Sequence, residues 1–409
     1  MHSHDSTNSS PIARSPRLML GLLLAATALA ACGSDEDADQ AATDSAQLEQ
    51  AVPTSSTGPV ATQPATTPAP ASPATTDTPS TTSPTSPPTT PASTAAPRPN
   101  LPAEPRVLYE WYPAGEDTKT IIVSDETLAT PSVRIVPEGD GAAVHSSWST
   151  DGSQFTWEVL RGNDTSSVWT ADADGSNATE RVTCLADPCV EMSYPAFSPD
   201  DSKLLVTQFD LAPDGNWGVS HLVVVDLATR EQTVIASTAD GTTSFYSATW
   251  SPDASKVAVA LETYTDETQN SRSGAEIVVY DTDPATDDDP VTVTPPDLFA
   301  GYPRWHPTDD RILFASWDLD AYQGTEPSQL YTVASDGSQL QQITHVDYAA
   351  TQRRPGEATW TPNGNRIIAG IGVVINGGVG DVKIAYIDPT SGEITETEAS
   401  GAMPALQPT

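Results

Sequence analysis

One recurring phrase limits the fold of this chain more than any other feature. It has the form P-x-W-S-P-D followed by an apolar strand, and five clear copies begin at His145, Tyr194, Tyr246, Tyr302 and Gly356. The aromatic positions within the copies are Trp148, Phe197, Trp250, Trp305 and Trp360. These positions are 49, 53, 55 and 55 residues apart, and a period of this size indicates a repeated supersecondary unit.

Each period has the composition of a four-stranded antiparallel meander. Strands rich in β-branched residues alternate with Asp-Gly, Pro-Asp and Asn-Gly turns, and little of the repeat is suited to helix. Meanders of this length repeated around an axis form a β-propeller, so the pattern predicts an all-β fold.

The two ends of the repeat region complete one blade together. The segment from Met403 to Thr409 aligns with the segment from Tyr302 to Thr308 and places Leu406 at the aromatic position. Three further strands, which begin near Arg106, Lys119 and Ser132, supply the rest of that blade. The sequence therefore predicts a six-bladed propeller over residues 105–409, closed by strands from both ends of the domain.

The phrase resembles the WD40-like repeat called PD40, found in the C-terminal propeller of the translocation protein TolB and in other exported bacterial propellers. The resemblance covers nearly all of residues 105–409 and implies the propeller fold. The small α/β domain that precedes the propeller in TolB has no counterpart here, so the partners of TolB are not carried over.

The N-terminus has the pattern of a bacterial lipoprotein signal. Arg14 and Arg17 precede an uncharged run of 14 residues, Leu18 to Ala31, which is shorter than the roughly 20 residues of a membrane span. Leu29-Ala30-Ala31-Cys32 is similar to the lipobox, which implies a signal peptide over 1–31, cleavage before Cys32 and lipidation of its thiol. An ordinary secretory signal is the alternative. We expect the chain to sit on the extracytoplasmic side of the cell membrane, held by its lipid.

Composition separates the next segment from the repeats. Residues 32–104 are acidic and then rich in Thr, Pro, Ser and Ala, which predicts a disordered tether. Residues 105–409 carry 15 of the 18 basic and 46 of the 55 acidic residues, a net charge of 15 − 46 = −31. This charge argues against nucleic acid as a partner and against adhesion to anionic headgroups.

Two cysteines remain after Cys32. Cys184 and Cys189 are separated by a turn-like Leu-Ala-Asp-Pro, and outside the cytoplasm we expect them to form a disulfide. A metal or redox pair is the competing interpretation, which the four-residue spacing and the lack of a nearby histidine disfavour.

The sequence shows no recognisable catalytic constellation. His145, His221, His306 and His345 fall in different blades, and no nucleophile elbow or H-E-x-x-H motif is present. Asp172, Asp174 and Asn177 offer oxygen ligands at calcium-loop spacing, but the later Glu is missing, and a turn is the favoured interpretation. We therefore expect no catalytic residue, no metal and no cofactor.

Loop length suggests a binding face. The longest insertions, 210–218, 262–275 and 317–328, follow the second strand of a blade and would share one face with the connections between blades. Aromatic and arginine side chains on that face are the candidate contacts, although packing within their own loops is the alternative for each. They are Trp217, Tyr264, Trp317, Tyr322, Tyr348, Arg353 and Arg354.

Two functions are consistent with these features. The first is a membrane-anchored, extracytoplasmic, non-enzymatic propeller that binds an envelope protein or polysaccharide. The second is a metal-dependent hydrolase or lyase that uses the central channel, since six-bladed lactonases and TolB-like oligogalacturonate lyases show that such folds host chemistry.

Overall fold

The computed structural model describes residues 106–408, except for 112–118, 126, 129–130, 137–140, 162–164, 185–187, 270, 284–288, 317–327 and 376–377. The signal peptide over 1–31, the tether over 32–104 and the lipidation site at Cys32 lie outside the described residues.

Within the described residues, twenty-four strands form six four-stranded antiparallel sheets, the blades I to VI. Each blade is given from its innermost to its outermost strand. Blade I consists of β24 (Ala402–Leu406), β1 (Arg106–Trp111), β2 (Thr120–Asp125) and β3 (Pro131–Ile135). Blade II consists of β4 (Ala142–Trp148), β5 (Gln154–Arg161), β6 (Thr165–Asp172) and β7 (Thr179–Thr183). Blade III consists of β8 (Cys189–Phe197), β9 (Lys203–Leu211), β10 (Trp217–Asp226) and β11 (Gln232–Ser237).

The other three blades follow the same order. Blade IV consists of β12 (Thr243–Trp250), β13 (Lys256–Tyr264), β14 (Arg272–Asp281) and β15 (Val291–Thr292). Blade V consists of β16 (Ala300–Trp305), β17 (Ile312–Ser316), β18 (Gln329–Val333) and β19 (Gln341–Gln342). Blade VI consists of β20 (Arg353–Trp360), β21 (Ile367–Ile375), β22 (Gly378–Ile387) and β23 (Ile394–Ser400). A 3-10 turn (Pro296–Leu298) precedes blade V and a one-turn helix, α1 (Tyr348–Thr351), precedes blade VI.

The innermost strands form a closed ring around a central channel. Each contacts the innermost strand of the next blade, and β24 lies between β20 and β4. The six-bladed architecture and its closure by both ends of the domain are therefore confirmed.

The aromatic residue of the repeat joins neighbouring blades. The indole nitrogens of Trp148, Trp250 and Trp360 donate to the carbonyl oxygens of Ala405, Ala196 and Arg304, at 3.1, 3.2 and 3.2 Å. Each acceptor lies one residue before the aromatic position of the preceding blade. The repeated tryptophan thus supplies an inter-blade hydrogen bond as well as apolar area, which accounts for its recurrence without a catalytic role.

The Ser-Pro-Asp part of the repeat forms the turn between the first two strands. In blade IV the Asp253 carboxylate accepts hydrogen bonds from the Ser251 hydroxyl and the Ser255 amide at 2.7 and 3.0 Å. These bonds lower the pKa of Asp253 to about 2. The same turn chemistry recurs at Asp151 and Asp200.

Closure of the ring depends on one buried glutamine. Gln407 follows β24, its amide donates to the Arg106 carbonyl at 2.7 Å, and its side-chain oxygen accepts from the Arg106 amide at 3.2 Å. Its side-chain nitrogen donates to the Gly152 carbonyl of blade II at 2.7 Å. The last strand is therefore held to both the first strand and the next blade.

Among the described residues, no helix has the length and apolar character needed to cross a membrane.

Candidate binding site in the central channel

A β-bulge interrupts the innermost strand of every blade. The register between the first two strands shifts at the same point in all six sheets. In five blades the residue three positions before the anchor has a left-handed backbone: His145, Tyr194, Ser247, Tyr302 and Met403, with φ between 48° and 55°. Bulges redirect side chains, and here they bring polar and aromatic groups together around the channel.

The second strand of each blade has an equivalent position three residues after the partner of the anchor. Four blades have a small residue there: Thr207, Ala260, Ala315 and Gly370. The other two, blades I and II, have Glu110 and Glu158, both almost fully buried. Two adjacent carboxyl groups therefore replace small side chains on one side of the channel.

Four rings from blades II to V line the channel beside these carboxyl groups. His145 stacks on Tyr194 with ring centroids 3.8 Å apart, and Tyr194 contacts Tyr246 at 4.6 Å. Tyr302 lies 5.7 Å from Tyr246 and 6.2 Å from Tyr194. The rings of blades III and V thus approach each other across blade IV and narrow the channel.

His145, Glu158 and Ser193 form the most buried part of the cluster. The Nδ1 atom of His145 lies 2.7 Å from Oε2 of Glu158, and the Ser193 hydroxyl donates to the same Oε2 at 2.7 Å. Glu110 accepts a hydrogen bond from the backbone amide of His145. Three blades therefore converge on this hydrogen-bond network.

Burial sets the ionisation of this network. It lowers the pKa of His145 to about 3, against the attraction of Glu110. It raises the pKa of Glu158 to about 8, which the nearby Glu110 also favours and the Ser193 hydrogen bond opposes. Burial and the charge of Glu158 raise the pKa of Glu191 well above its usual value. At neutral pH the pair of His145 and Glu158 is therefore a neutral hydrogen bond and not an ion pair.

Basic side chains complete the wall of the channel. Arg304 donates to the Ser247 hydroxyl and the Pro303 carbonyl, each at 2.8 Å, and burial lowers its pKa. Burial lowers the pKa of Lys119, which lies within the field of Glu110 and Glu158.

The wall continues through Arg272 and Glu357. Arg272 pairs with Glu262, whose carboxylate also accepts from the Tyr264 hydroxyl. Burial raises the pKa of Glu357, while a hydrogen bond from Tyr302 and the charge of Arg354 oppose the rise. All six blades therefore contribute charged or aromatic side chains to one channel.

Two polar atoms of the network have no hydrogen-bond partner in the described protein: His145 Nε2 and Glu158 Oε1. Both side chains are buried, with 4% and 0% of their surface exposed. A buried polar atom without a partner costs roughly 1–3 kcal/mol. These two atoms are therefore the candidate contacts of the network for a polar ligand.

The network does not have the geometry of a nucleophilic triad. In a triad the nucleophile and the carboxylate contact different nitrogens of the histidine. Here Ser193 and Glu158 both approach Nδ1 of His145, at 3.2 and 2.7 Å.

A second histidine does contact two different partners. His221 places Nδ1 2.7 Å from the Ser237 hydroxyl and Nε2 3.2 Å from Asp210. His221 and Ser237 are directly paired across β10 and β11, and Gln208 is the partner of His221 in β9. The pairing of strands in the sheet of blade III therefore explains the hydrogen bonds of His221 without a catalytic role.

The predicted binding-face residues divide into two groups. Arg354 is buried, and Tyr264 bonds to Glu262, so both belong to the channel cluster and do not project from loops. Trp217 packs edge-on against Phe209 at 6.1 Å. Of two further candidates, Tyr348 is half-buried in α1, and Arg353, the first residue of β20, pairs with Glu396. Trp317 and Tyr322 lie outside the described residues.

The loops themselves are shorter than the sequence suggests. Strands β9 and β10 extend to Leu211 and from Trp217, so the first loop is 212–216. Strands β13 and β14 reduce the second to 265–271. The polar residues at the ends of these strands keep the backbone hydrogen bonds of the sheet, so the strands extend into the segments predicted as loops.

The remaining predicted sites have local explanations. Asn177 donates to Asp172 at 2.7 Å, and Asp174 accepts from the Ser176 amide and hydroxyl at 2.9 and 2.6 Å. These bonds belong to a hairpin turn, and the described residues contain no group of three or more His, Cys, Asp or Glu side chains arranged for a metal. Cys184 and Cys189 form a disulfide with Cα atoms 5.4 Å apart.

Sequence comparison of whole repeats missed the channel cluster because its residues differ from blade to blade. One sequence feature does indicate the cluster. Glu110 and Glu158 stand in otherwise apolar strands, at a position where the other blades have small side chains. The bulge that turns His145 and Tyr194 into the channel has no clear sequence mark.

The fold is a six-bladed β-propeller of four-stranded antiparallel blades. No protein-family model matches the sequence, and no curated protein matches it. The structure is similar to that of TolB from Acinetobacter baumannii, with a TM-score of 0.53 and 14% identity over 75% of this chain and 67% of that chain.

Weaker similarities extend to enzymes. An oligogalacturonate lyase in complex with manganese has a TM-score of 0.43 and 16% identity over 71% of this chain and 72% of that chain. A puromycin-hydrolysing peptidase from Mycobacterium tuberculosis has a TM-score of 0.46 and 14% identity over 72% of this chain and 47% of that chain. Such similarities concern the propeller fold and leave the activity of this chain open.

Proposed function

We propose that this chain is a lipid-anchored, extracytoplasmic propeller that binds an envelope protein or polymer without transforming it. The observation that carries the proposal is the channel cluster, in which six blades present charged and aromatic groups and two buried polar atoms, His145 Nε2 and Glu158 Oε1, have no protein partner. Such a surface is preorganised for a polar ligand. The loops over the same end of the channel add contact area.

The channel mouth lies on the loop-bearing face. Tyr264 ends β13, and Arg353 and Arg354 begin β20, so these residues stand where the second strands end and the innermost strands begin. The loops 212–216 and 265–271 leave the sheets at the same end. A ligand held by the loops would therefore have direct access to the channel.

Shortening the loops tests this proposal. Replacing 212–216 and 265–271 by two-residue hairpin turns is expected to abolish capture of the ligand from envelope extracts, because the face loses its contacts while the blades keep their ladders. Capture is measured with the immobilised full chain, and circular dichroism checks that the blades remain folded. Shortening the opposite-face loop 227–231 is the matched control. Unchanged capture by the first variant would contradict the proposal.

The anchor gives a separate prediction. The change Cys32→Ser removes the thiol that would accept the lipid, so incorporation of labelled palmitate is expected to be lost and the protein to leave the membrane fraction. A single Cys184→Ser change, which leaves Cys32 in place, is the control for labelling. Equal labelling of the Cys32→Ser protein would exclude this cysteine as the attachment site.

A channel hydrolase or lyase is the second candidate, favoured by Glu158 and His145, which are hydrogen-bonded to each other and each carry one unpartnered atom. Metal analysis of the purified chain, combined with an activity screen on lactones and pectin fragments, distinguishes it from the binding protein. Turnover lost in Glu158→Gln would support the enzyme.

A further inference from the structure

A cavity of about 310 Å³ lies between blades III and IV, away from the central channel. The turns 198–202 and 251–255, which join the first two strands of these blades, border it together with the indole of Trp250. These turns stand at the end of the sheets opposite the loops 212–216 and 265–271. The cavity therefore opens on the other face of the propeller, and its volume is at the lower limit of small-molecule sites, roughly 300–1,000 Å³.

At two other borders between blades, a side chain crosses from one blade to the next. The crossing residue directly follows the anchor position. His306 of blade V places Nε2 3.2 Å from the Gly364 carbonyl oxygen in the turn of blade VI. Gln407 of blade I donates to the Gly152 carbonyl in the equivalent turn of blade II at 2.7 Å. In both cases the crossing side chain closes the groove between the two turns.

Between blades II and III the crossing bonds come from the other side. The Asp201 carboxylate of blade III accepts from two backbone amides in the turn of blade II, at 2.6 and 3.0 Å. The border of blades III and IV lacks both arrangements. Ser198 stands there at the position of His306, and Ala254 stands at the position of Asp201. The Ser198 hydroxyl bonds within its own turn and alanine has no polar group, so the groove stays open.

The border of blades V and VI shows which group fills the equivalent space. The guanidinium carbon of Arg311 lies 5.3 Å from the ring centroid of Trp360, and the His306 ring packs edge-on against the same indole at 4.7 Å. Blade III has Lys203 at the position of Arg311. In the part of the chain that the structure describes, no ring or cation packs against Trp250 in this way.

The charges around the cavity favour a cation as the occupant. Asp200 and Asp283 line it together with Lys203, which gives −2 + 1 = −1. The Ser198 hydroxyl donates to Asp200 at 2.6 Å and holds the pKa of that carboxyl group below its ordinary value, so Asp200 is a carboxylate at neutral pH. Lys203 opposes a bound cation, but it pairs in register with Asp226, whose carboxylate offsets its charge.

We propose that this cavity binds a guanidinium group, which would contact Trp250 as Arg311 contacts Trp360 and lie beside the carboxylate of Asp200. A guanidinium is planar, weakly hydrated and rich in N–H donors, which suits the space between an indole and carboxylates better than a compact ammonium group does. The site lies on the face opposite the loops, so it is additional to the proposed function. Arginine side chains and small alkylguanidines both carry the group.

Propylguanidinium is the probe, with propylurea as a neutral counterpart of similar shape. Titration calorimetry of the purified full chain is expected to show binding of propylguanidinium and none of propylurea. The change Ser198→His introduces the side chain that closes the border of blades V and VI, and a proline follows in both turns, so it should abolish binding without disturbing the turn. Ser198→Ala is the matched control, because it leaves the cavity open and should retain binding.

The charge of Asp200 is tested in the same titration. Asp200→Asn should weaken the binding of propylguanidinium roughly threefold, the range of an exposed ion pair. Asp151→Asn, at the equivalent turn position of blade II, should leave it unchanged. Propylurea binding as tightly as propylguanidinium, or propylguanidinium binding unchanged in Ser198→His, would overturn the guanidinium site.

A third ligand identifies the source of the group. Tighter binding of acetyl-arginine amide than of propylguanidinium supports the site with an arginine side chain as its occupant, and the reverse supports it with a free alkylguanidine. Shortening the loops 212–216 and 265–271 should not change either affinity. Failure of the guanidinium site and failure of the loop-dependent capture are therefore distinguishable.

Discussion

Removal of residues 401–409 is expected to eliminate cooperative unfolding of the propeller. The deletion takes away β24, so β1 loses its inner partner and blades VI and II lose the strand between them. Three hydrogen bonds of Gln407 and the bond from Trp148 to Ala405 disappear with it. At about 1 kcal/mol each, these four bonds alone contribute roughly 4 kcal/mol, a large part of a typical total of about 5–15 kcal/mol.

A relocated strand is the decisive control. Leu406 pairs with Val107 as Trp250 pairs with Val257, so β24 and β1 have the register of an ordinary hairpin. Inserting residues 401–409 and a two-residue linker directly before Arg106, in the chain that lacks them at its end, should restore the urea unfolding transition. If the urea unfolding transitions of the shortened chain and of the relocated chain both equal that of the parent, ring closure contributes little to the stability of the fold.

A single methyl group tests the same closure more gently. A Cβ at Gly152, where φ is +69°, would lie 2.1 Å from the Pro408 carbonyl oxygen. Gly152→Ala should therefore destabilise the fold by several kcal/mol, well beyond the roughly 1 kcal/mol of the backbone conformation alone. Gly215, with φ +84° and no atom within 4 Å of its Cβ, isolates that backbone cost.

Ring closure was predictable from the sequence, whereas the channel was not, and the reason is physical. Closure could be predicted because the last segment of the chain is in register with the repeat. Leu406 occupies the position that Trp250 has in blade IV, and each pairs with the second strand of its blade in the same way. The channel depends on individual exceptions to the pattern, such as Glu158 at the position of Ala260, and on bulges that rotate His145 and Tyr194. Periodicity identifies what the blades share, and a binding site consists of what they do not share.

The loop face shows the same division. Chain connectivity correctly places the loops 212–216 and 265–271 at one end, since every second strand of a meander ends there. It cannot distinguish a side chain that leaves the sheet from one that turns inward, and Arg354 and Tyr264 turn inward. Their partners, Glu357 and Glu262, lie three and two residues away in the same strands, β20 and β13, so the two pairs share no common sequence spacing.

The stability of the folded propeller is expected to fall as the pH rises from about 4.5 to about 8. The pKa of Glu158 is 4.5 unfolded and about 8 folded, so in this window the folded state keeps a proton that the unfolded state has lost. Stability from this group is complete below pH 4.5 and lost above pH 8. The shift corresponds to about 5 kcal/mol at most, and the raised pKa of Glu191 acts in the same direction.

His145 has the opposite dependence in a lower window. Its pKa is 6.5 unfolded and about 3 folded, so the unfolded state gains a proton first as the pH falls from 6.5 to 3, and stability falls with it. Between pH 4.5 and 6.5 the two slopes oppose each other. The pair therefore places maximal stability in that window, on the acidic side of neutrality.

The change Glu158→Gln isolates the carboxyl group. Glutamine keeps the shape and cannot ionise; its amide nitrogen donates to Nδ1 of His145 in place of Oε2, at the cost of the hydrogen bond that the Ser193 hydroxyl donates there. Urea unfolding at pH 5 should give nearly the parent free energy, whereas at pH 8.5 the variant should be more stable by several kcal/mol. Glu180→Gln, at a half-exposed ion pair in the same blade, should follow the parent at every pH. Parallel pH profiles for the parent and Glu158→Gln would contradict the raised pKa of Glu158 in the folded channel.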